Sequence, residues 1–192
     1  MSRSDRRRRI IALTAPSGAG KTTIAKRVLA EIPEMQFSVS ATTRSPRPHE
    51  RDGVDYHFVT VERFRDMIES GELVEFEEVY PGRYYGTLRS EIETKTANGP
   101  VLLDVDVRGA ANVERLYGDD ALTVFIRPPS LEDLATRLRE RKTESEESIH
   151  VRLQRAEMEL AQSSVFDAVV VNDRLEDAVA ETLQLIRSFL DS

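Results

Sequence analysis

A short glycine-rich segment limits the folds open to this chain more than any other feature of its sequence. It reads Ala15-Pro16-Ser17-Gly18-Ala19-Gly20-Lys21-Thr22 and lies between an apolar run at 10–14 and a helical pattern at 21–31. A strand, a glycine-rich turn that ends in lysine and threonine, and a helix together form a phosphate-binding loop, or P-loop. The segment therefore predicts an α/β fold with a site for nucleotide phosphates.

Each residue type in this loop suits a bound anion. Gly18 and Gly20 let backbone N–H groups approach phosphate oxygens without a Cβ in the way, and a helix N-terminus favours negative charge. The Lys21 ammonium can reach the β- and γ-phosphates, and the Thr22 hydroxyl can ligate Mg²⁺. Ala15 replaces the first glycine of the usual pattern, at a position that makes no side-chain contact with phosphate. The alternative interpretation is a structural turn with an exposed lysine.

Apolar runs alternate with helical periodicity along the rest of the chain, which predicts a largely parallel sheet flanked by helices. Strands are predicted at 10–14, 36–41, 54–59, 73–79, 101–107, 121–126 and 168–171. The segment 80–86 is predicted as a loop, and Thr87 as the cap of the next helix. Ser130 with Asp133 is predicted as a capping pair, and Thr143 with Glu146 as a capping box.

Composition and charge exclude several classes of function. The 192 residues carry a formal net charge of −7, which argues against a nucleic-acid-binding surface over the whole protein. The sequence has no cysteine, so disulfides, thiolate metal sites and a cysteine nucleophile are excluded. No apolar stretch is long enough to span a bilayer, and the apolar run after the arginines at 6–9 is too short for a signal peptide. We expect a cytoplasmic protein with a solvated basic tail and with neither membrane nor nucleic acid as a partner.

Two carboxylates interrupt the apolar run at 101–107. Burial of a charge is unfavourable unless a cation or a hydrogen-bond donor accompanies it. Asp104 and Asp106 are two residues apart, so strand alternation would place both on one face. They are candidates for a role near Mg²⁺ or substrate, and the alternative is a pair of structural acids in salt bridges.

The segment 40–48 is rich in groups that bind anions. Arg44 and Arg47 are three residues apart in a stretch stiffened by two prolines, and guanidinium groups suit bidentate phosphate contacts. Tyr56 and Tyr85 can add phenolic hydrogen bonds. Each of these residues alone is more often a surface residue, but together they predict a second phosphate site.

Glu75 is a candidate for recognition of a purine base. A carboxylate complements the N1–H and N2–H donors of guanine, and adenine has no such pair of donors. The hydroxyls of Ser40 and Thr87 can donate to guanine O6 or N7. The alternative is that Glu75 is an acidic residue on the exposed face of a strand. We predict that Glu77 and Glu78 are exposed strand residues of this kind.

With these residues in view, the chain resembles the guanylate kinase family from about Ile10 to the C-terminus. The matching stretches are APSGAGKTT, FSVSATTRSPRPHERDGVDYHFV, ELVEFEEVYPGRYYGT, LLDVDVRG, RPPS, RKTESEES and VVVND. The resemblance implies a three-layer P-loop NTPase-type fold with a parallel central sheet. It implies a core at 8–36 and 87–192, an inserted GMP-binding subdomain at about 37–86, a lid at about 137–152 and a basic tail at 1–7.

The resemblance also implies a reaction and a set of site residues. The reaction is transfer of the γ-phosphate of ATP, bound with Mg²⁺, to GMP in purine nucleotide metabolism. ATP would contact Ala15, Pro16, Ser17, Gly18, Ala19, Gly20, Lys21, Thr22 and Thr23, with Asn172 near the adenine and Thr22 on the metal. The GMP phosphate would contact Arg44, Arg47, Tyr56 and Tyr85, and guanine would contact Ser40, Glu75, Thr87 and Asp106. Asp104 would lie near Mg²⁺ or the GMP ribose, and the catalytic cations would be Lys21, Arg44, Arg137, Arg141 and Arg152.

Two other functions fit parts of this pattern. A different small-molecule P-loop kinase, such as a ribose bisphosphate kinase, would keep the loop but would not need Glu75, Ser40 and Thr87 together. A non-catalytic module that binds phosphorylated peptides would share the fold but have a degraded ATP site, whereas Lys21 and Thr22 are intact here. The three histidines, His49, His57 and His150, are scattered and are interpreted as incidental.

Overall fold

The computed structural model describes residues 9–140 and 145–192, and a sheet of five parallel strands forms its centre. The strands are β1 (Ile10–Thr14), β2 (Gln36–Phe37), β7 (Val101–Asp104), β8 (Ala121–Arg127) and β9 (Ala168–Val171). Their order is β2-β7-β1-β8-β9, with β1 in the middle. Every residue of β1 is buried, as expected for a parallel strand that is covered on both faces.

Helices cover both faces of this sheet because side chains alternate along its strands. The flanking helices are α1 (Lys21–Glu31), α3 (Arg89–Thr96), α4 (Val107–Tyr117) and α7 (Leu175–Leu190). Ile11 and Leu13 share an apolar cluster with α1 and α7, whereas Ile10 and Ala12 share one with α3 and α4. The predicted α/β fold with a parallel central sheet is therefore confirmed. None of the helices in the described ranges combines the length and apolar composition that a membrane crossing requires.

A second sheet, of four strands, is formed by the described residues between 41 and 88. The strands are β3 (Ala41–Thr42), β4 (His57–Phe58), β5 (Leu73–Tyr80) and β6 (Arg83–Leu88), in the order β4-β3-β6-β5. β6 is antiparallel to both β3 and β5. The helix α2 (Val61–Glu69) packs Phe64 and Met67 into a cluster with Ala41 and Leu73, so this sheet has an apolar core of its own.

The predicted single strand at 36–41 is wrong, because the chain changes sheets within it. β2 pairs with β7 in the central sheet, whereas β3 pairs with β4 and β6 in the second sheet. The alternation of polar and apolar residues at 36–41 runs on without a break, so it does not reveal where the pairing partner changes. The predicted strand at 54–59 is likewise reduced to β4, because the residues before it form a turn in which Gly53 has a φ of 72°.

The predicted loop at 80–86 is also wrong, because most of it belongs to a β5–β6 hairpin. Pro81 and Gly82 make the turn, and Gly82 has a φ of 73°, which favours glycine. Thr87 lies within β6 and does not cap a helix. The N-terminus of α3, which lies wholly inside the described chain, has no side-chain cap.

Two further helices, α5 (Leu131–Glu140) and α6 (Glu146–Ala161), pack against each other through a small apolar cluster. The predicted capping pair at the start of α5 is confirmed, since the Ser130 hydroxyl accepts from the backbone N–H of Asp133 and donates to its carboxylate. The cap of α6 is Ser145. The predicted partner Thr143 and the predicted site residue Arg141 lie outside the described residues, as does the tail at 1–7.

Candidate active site

The P-loop connects the buried end of β1 to the first turn of α1. Gly18 and Gly20 have φ values of 97° and 99°, in the left-handed region that favours glycine. A Cβ on Gly18 would lie 2.9 Å from the side chain of Leu138, because α5 packs close to the loop. Thr22 and Thr23 are exposed in the first helical turn. The loop therefore presents its backbone and these hydroxyls at a helix N-terminus, which suits a bound phosphate.

Asn172 supports the P-loop from behind. Its buried side chain donates from Nδ2 to the carbonyl oxygen of Ala19 at 2.7 Å. A Cβ on Gly20 would lie 2.2 Å from the same nitrogen, so this contact requires glycine at position 20. The backbone carbonyl of Asn172 accepts from Arg137 Nη2 at 2.8 Å. The sequence suggested a contact of Asn172 with adenine but did not suggest this structural role.

Two of the predicted lid arginines lie next to the P-loop region. Arg137 is held there by its bond to Asn172, and Arg152 Nη1 donates to the hydroxyl of Ser17 at 2.7 Å. Ser17 is exposed at the rim of the loop. The structure therefore brings Arg152 of α6 to the P-loop, and Arg137 of α5 to the residue that supports the loop from behind.

Lys21 lies on the floor of the cleft between the two sheets. Its ammonium is 2.5 Å from Asp104 Oδ1 and donates to the carbonyl oxygen of Val105 at 2.7 Å. Asp104 ends β7, the strand next to β1, so parallel pairing brings it to the P-loop. Asp106 does not continue that strand, which corrects the prediction of two acids on one strand face. It is instead the N-cap of α4 and accepts from the backbone N–H of Gly109 at 2.7 Å.

Glu75 is a buried carboxylate between the second sheet and α4. The Thr87 hydroxyl donates to Glu75 Oε1 at 2.5 Å, across the β5–β6 pair. A Cβ on Gly109 would lie 2.9 Å from Glu75 Oε2, so the missing side chain of Gly109 makes room for this carboxylate. Burial raises the pKa of Glu75 to about 7, although the Thr87 hydrogen bond lowers it. The Thr87 hydroxyl is thus directed at Glu75.

Arg44 is held in a cluster of polar and aromatic side chains on the second sheet. Its guanidinium donates to both oxygens of Glu50 at 2.6 Å, and its Nε donates to the Tyr85 hydroxyl at 3.1 Å. The guanidinium carbon lies 4.9 Å from the ring centroid of Tyr56. The Arg44 guanidinium, followed by the backbone N–H of Arg47, holds the pKa of Glu50 down at about 2. Three of the four predicted phosphate-binding residues therefore meet in one cluster, with Arg47 joined to it by its backbone.

Two adjoining cavities make these features one cleft. The smaller has a volume of about 300 Å³, and its lining includes Lys21, Ser40, Tyr56, Glu75, Tyr85, Asp104 and Asp106. The larger, of about 640 Å³, is lined by the P-loop and by Arg47, Arg152 and Arg155. Lys21, Tyr56 and Asp106 line both cavities. The cleft therefore has a P-loop end and a Glu75 end that meet at Lys21.

Several contacts in this cleft were missed by the sequence analysis. Glu50 was not singled out, although it follows Arg47 by three residues, just after the segment 40–48. Glu77 was predicted as an exposed strand acid, but it is half-buried and pairs with Arg155 of α6. Gly109 was not singled out either. No local pattern pairs Glu77 with Arg155, since these residues are far apart in sequence.

The oxygen donors of the cleft fit a magnesium ion that arrives with a nucleotide. Thr22 and Asp104 line the same cavity, and Mg²⁺ commonly uses one or two protein oxygens together with substrate phosphates and water. Within residues 9–140 and 145–192, no group of three or more His, Asp or Glu side chains is arranged to hold a metal ion. A dedicated all-protein metal cage is therefore not a feature of the described chain.

Comparisons with known proteins agree with this geometry. The sequence model of the family described as guanylate kinase matches residues 7–189. A guanylate kinase of Salinibacter ruber is 61% identical over 185 residues, which cover 96% of this chain and 98% of that protein. One from Bacteroides thetaiotaomicron is 46% identical, with coverage of 95% and 90%. The crystal structure of guanylate kinase from Anaplasma phagocytophilum superposes with a TM-score of 0.74 at 30% identity, covering 94% of this chain and 85% of that one.

Proposed function

This chain belongs to the guanylate kinase family and transfers the γ-phosphate of ATP to GMP, and we propose that the two ends of its cleft hold these two substrates. The observation that carries the proposal is that Glu75 and Lys21 line one cavity of about 300 Å³. A carboxylate that accepts from guanine and a lysine that contacts the ATP phosphates then line the same cavity, so a GMP molecule bound to Glu75 can extend toward Lys21.

ATP binds at the P-loop end in this proposal. The backbone of residues 15–20 and the hydroxyls of Thr22 and Thr23 surround the phosphates, and Thr22 is the protein ligand of the accompanying Mg²⁺. Support comes from the left-handed glycines of the loop and from the positions of Arg137 and Arg152 beside it. Asn172 holds the loop and stays our candidate for a contact with adenine. Arg141 is retained as a candidate phosphate ligand on sequence resemblance.

GMP binds at the Glu75 end. Glu75 and Asp106 Oδ2, the oxygen that does not cap α4, accept from the N–H donors of guanine, and the Ser40 hydroxyl donates to the base. The phosphate contacts Arg44, Arg47, Tyr56 and Tyr85, and Asp104 lies near the ribose or the metal. Thr87 contributes to base recognition indirectly, because its hydroxyl donates a hydrogen bond to Glu75.

Catalysis then depends on positioning and on charge neutralisation. An oxygen of the GMP phosphate forms a bond to the γ-phosphorus of ATP in line with the bridging oxygen, whose bond to that phosphorus breaks to release ADP. The attacking oxygen is already anionic at neutral pH, so no side chain needs to remove a proton. Mg²⁺, when bound with ATP, supplies additional positive charge on the phosphates. Lys21, Arg44 and the arginines of α5 and α6 hold the two polyanions together and exclude water.

The domain division also belongs to this proposal. We assign the GMP-binding subdomain to about 37–86, the core to 8–36 and 87–192, and a lid to about 137–152. The assignment of the subdomain is supported by the second sheet and its separate apolar cluster. A cytoplasmic location, where ATP and GMP are available, stays part of the same proposal.

The identity of the acceptor is tested with a panel of monophosphates. We expect GMP to be phosphorylated at least about 100-fold more efficiently than AMP, because adenine leaves the buried acceptor Glu75 without donors. The measurement is ADP release in a coupled assay with GMP, AMP, CMP and UMP, and with ribose bisphosphate as the rival acceptor. Equal use of GMP and AMP, or a preference for ribose bisphosphate, would contradict the proposed reading of guanine.

Replacement of Arg44 by lysine tests the phosphate end of the GMP site. We expect Arg44→Lys to lower kcat/KM for GMP about 10- to 100-fold, because lysine keeps the charge but not the planar fork. That fork is what binds Glu50 and Tyr85 in the free enzyme. The matched control is Arg51→Lys, on an exposed residue of the same segment, which should leave kinetics unchanged. Normal GMP kinetics in Arg44→Lys would remove Arg44 from the phosphate site.

A further inference from the structure

Helix α6 contacts both the P-loop and the second sheet through two arginines on one face. Arg152 and Arg155 are three residues apart, a spacing that places side chains on the same side of a helix. Arg152 Nη1 donates to the P-loop hydroxyl of Ser17 at 2.7 Å. Arg155 Nη2 donates to Glu77 Oε1 on β5 at 2.5 Å. A single rigid element therefore contacts the ATP loop and the GMP-side sheet at once.

Arg155 lies among three carboxylates at the centre of the cleft. Besides its contact with Glu77, its Nη2 is 3.8 Å from Asp106 Oδ2, and its Nε donates to Glu159 at 2.8 Å. The side chains of Glu77 and Asp106 are 24% and 20% exposed and that of Arg155 is 42% exposed, so solvent screens these contacts only in part. Burial and the nearby charge of Asp106 raise the pKa of Glu77. Without Arg155 these two carboxylates would repel each other.

The two oxygens of Asp106 have separate partners. Oδ1 caps α4 by accepting from Gly109, which leaves Oδ2 as the oxygen that faces Arg155 and the cavity. In the proposed placement of GMP, Oδ2 is the oxygen that contacts guanine, beside Arg155. The position of Arg155 determines the electrostatic environment of that oxygen.

We propose that Arg155 is a positioning residue, which ties α6 to β5 through Glu77 and steadies Asp106, so that nucleotide binding at the P-loop strengthens GMP binding. This inference rests on the proposed placement of ATP and GMP in the cleft. ATP favours the position of α6 in which Arg152 meets the loop, and the same position sets Arg155 against the GMP-side acids. Coupling of this kind is reciprocal, so GMP also strengthens ATP binding.

Calorimetry with and without a non-hydrolysable ATP analogue tests the coupling. The measured quantity is the ratio of the GMP dissociation constants in the two conditions. We expect the wild-type enzyme to bind GMP more tightly with the analogue, and Arg155→Met to reduce that ratio about five- to tenfold. Glu77→Gln should give a similar reduction, and the Arg155→Met/Glu77→Gln double variant should lose no more than the worse single variant. A role limited to stability would lower the melting temperature and leave the ratio unchanged.

The control is Arg139→Met, which breaks the exposed Arg139–Glu146 pair between α5 and α6 and should keep the wild-type ratio. The proposal would be overturned if Arg155→Met kept the wild-type ratio or if the wild-type enzyme showed no coupling. It would also be overturned if the reduction of the ratio in the double variant equalled the product of the two single reductions. The Glu75→Gln variant distinguishes an error in the role of Arg155 from an error in the proposed GMP site. If Glu75→Gln leaves GMP affinity unaltered, the placement of GMP is wrong and the inference falls with it. If Glu75→Gln lowers the GMP affinity but Arg155→Met keeps the wild-type ratio of dissociation constants, only the role of Arg155 is refuted.

Discussion

Replacing Lys21 with alanine is expected to lower kcat by at least about 10²–10³-fold while GMP still binds. Lys21 lines both cavities of the cleft, so its ammonium can reach both substrates in the proposed arrangement. In that arrangement its charge acts on the phosphate that is transferred. Guanine and the GMP phosphate would have their own ligands at Glu75 and Arg44. Turnover is measured by ADP release and GMP affinity by calorimetry, and near-normal turnover would refute the role of this lysine.

The contact between Lys21 and Asp104 supplies a second test of the same prediction. Lys21→Ala leaves Asp104 without the cation that is 2.5 Å away in the free enzyme. If activity were lost merely because that unpaired carboxylate disturbs the fold, Lys21→Ala would melt well below the wild type and GMP binding would be lost with activity. We expect GMP binding to be kept, since the missing group is the cation itself. Lys26→Ala, on the exposed side of the same helix, is the matched control and should behave as the wild type.

Features set by local sequence were predicted well. The P-loop, the strands β1, β8 and β9, and the helix α1 all depend on neighbouring residues, whose apolar period and glycines are visible in the sequence. The Ser130–Asp133 capping pair belongs to the same class, because its two residues are three apart. Such elements are determined by propensity and periodicity over a single window.

Features set by distant pairing were predicted poorly. The switch between β2 and β3 depends on which strand each one meets, and those partners lie elsewhere in the chain. The pair of Arg155 with Glu77 joins residues 78 positions apart. Asp106 looked like part of a strand because Val105 and Val107 are apolar, but its carboxylate caps a helix instead. Composition identified which residues bear chemistry, and the fold determined which of them meet.

Glu75→Gln is expected to raise the GMP dissociation constant at least about 100-fold and to leave ATP affinity nearly unchanged. The amide can still accept the Thr87 hydrogen bond, but it replaces one carboxylate oxygen with a donor that opposes the guanine donors. Titration of GMP and of an ATP analogue by calorimetry measures both effects. Glu78→Gln is the control on the same strand, since Glu78 is exposed and bonds to the turn. Unaltered GMP affinity would remove Glu75 from the guanine site.

The pH dependence of GMP binding follows from the same carboxylate. Glu75 accepts two donors only when it is ionised, and its pKa is raised to about 7 by burial. GMP affinity of the wild-type enzyme should therefore fall as the pH drops below about 7, whereas ATP affinity should not change there. A second fall near pH 6 is expected when the GMP phosphate gains a proton. In Glu75→Gln, the fall in GMP affinity near pH 7 should be absent and the fall near pH 6 should stay. If the variant still lost GMP affinity near pH 7, another group would be responsible for that loss.

The same substitution is expected to stabilise the free enzyme, in the opposite direction to its effect on binding. The pKa of Glu75 rises from 4.5 to about 7 on folding, so the folded state is favoured while the carboxyl is protonated and loses that advantage as the pH rises through 7. This pKa difference lowers the free energy of unfolding by about 3 kcal/mol above pH 7, which is roughly 6–12 °C in melting temperature for a chain of this length. Glu75→Gln should therefore melt higher than wild type at pH 8 and alike near pH 4.5. A variant that loses GMP binding and is also less stable at pH 8 would mean that the carboxylate is a structural group, and the guanine site would have to be sought elsewhere in the cleft.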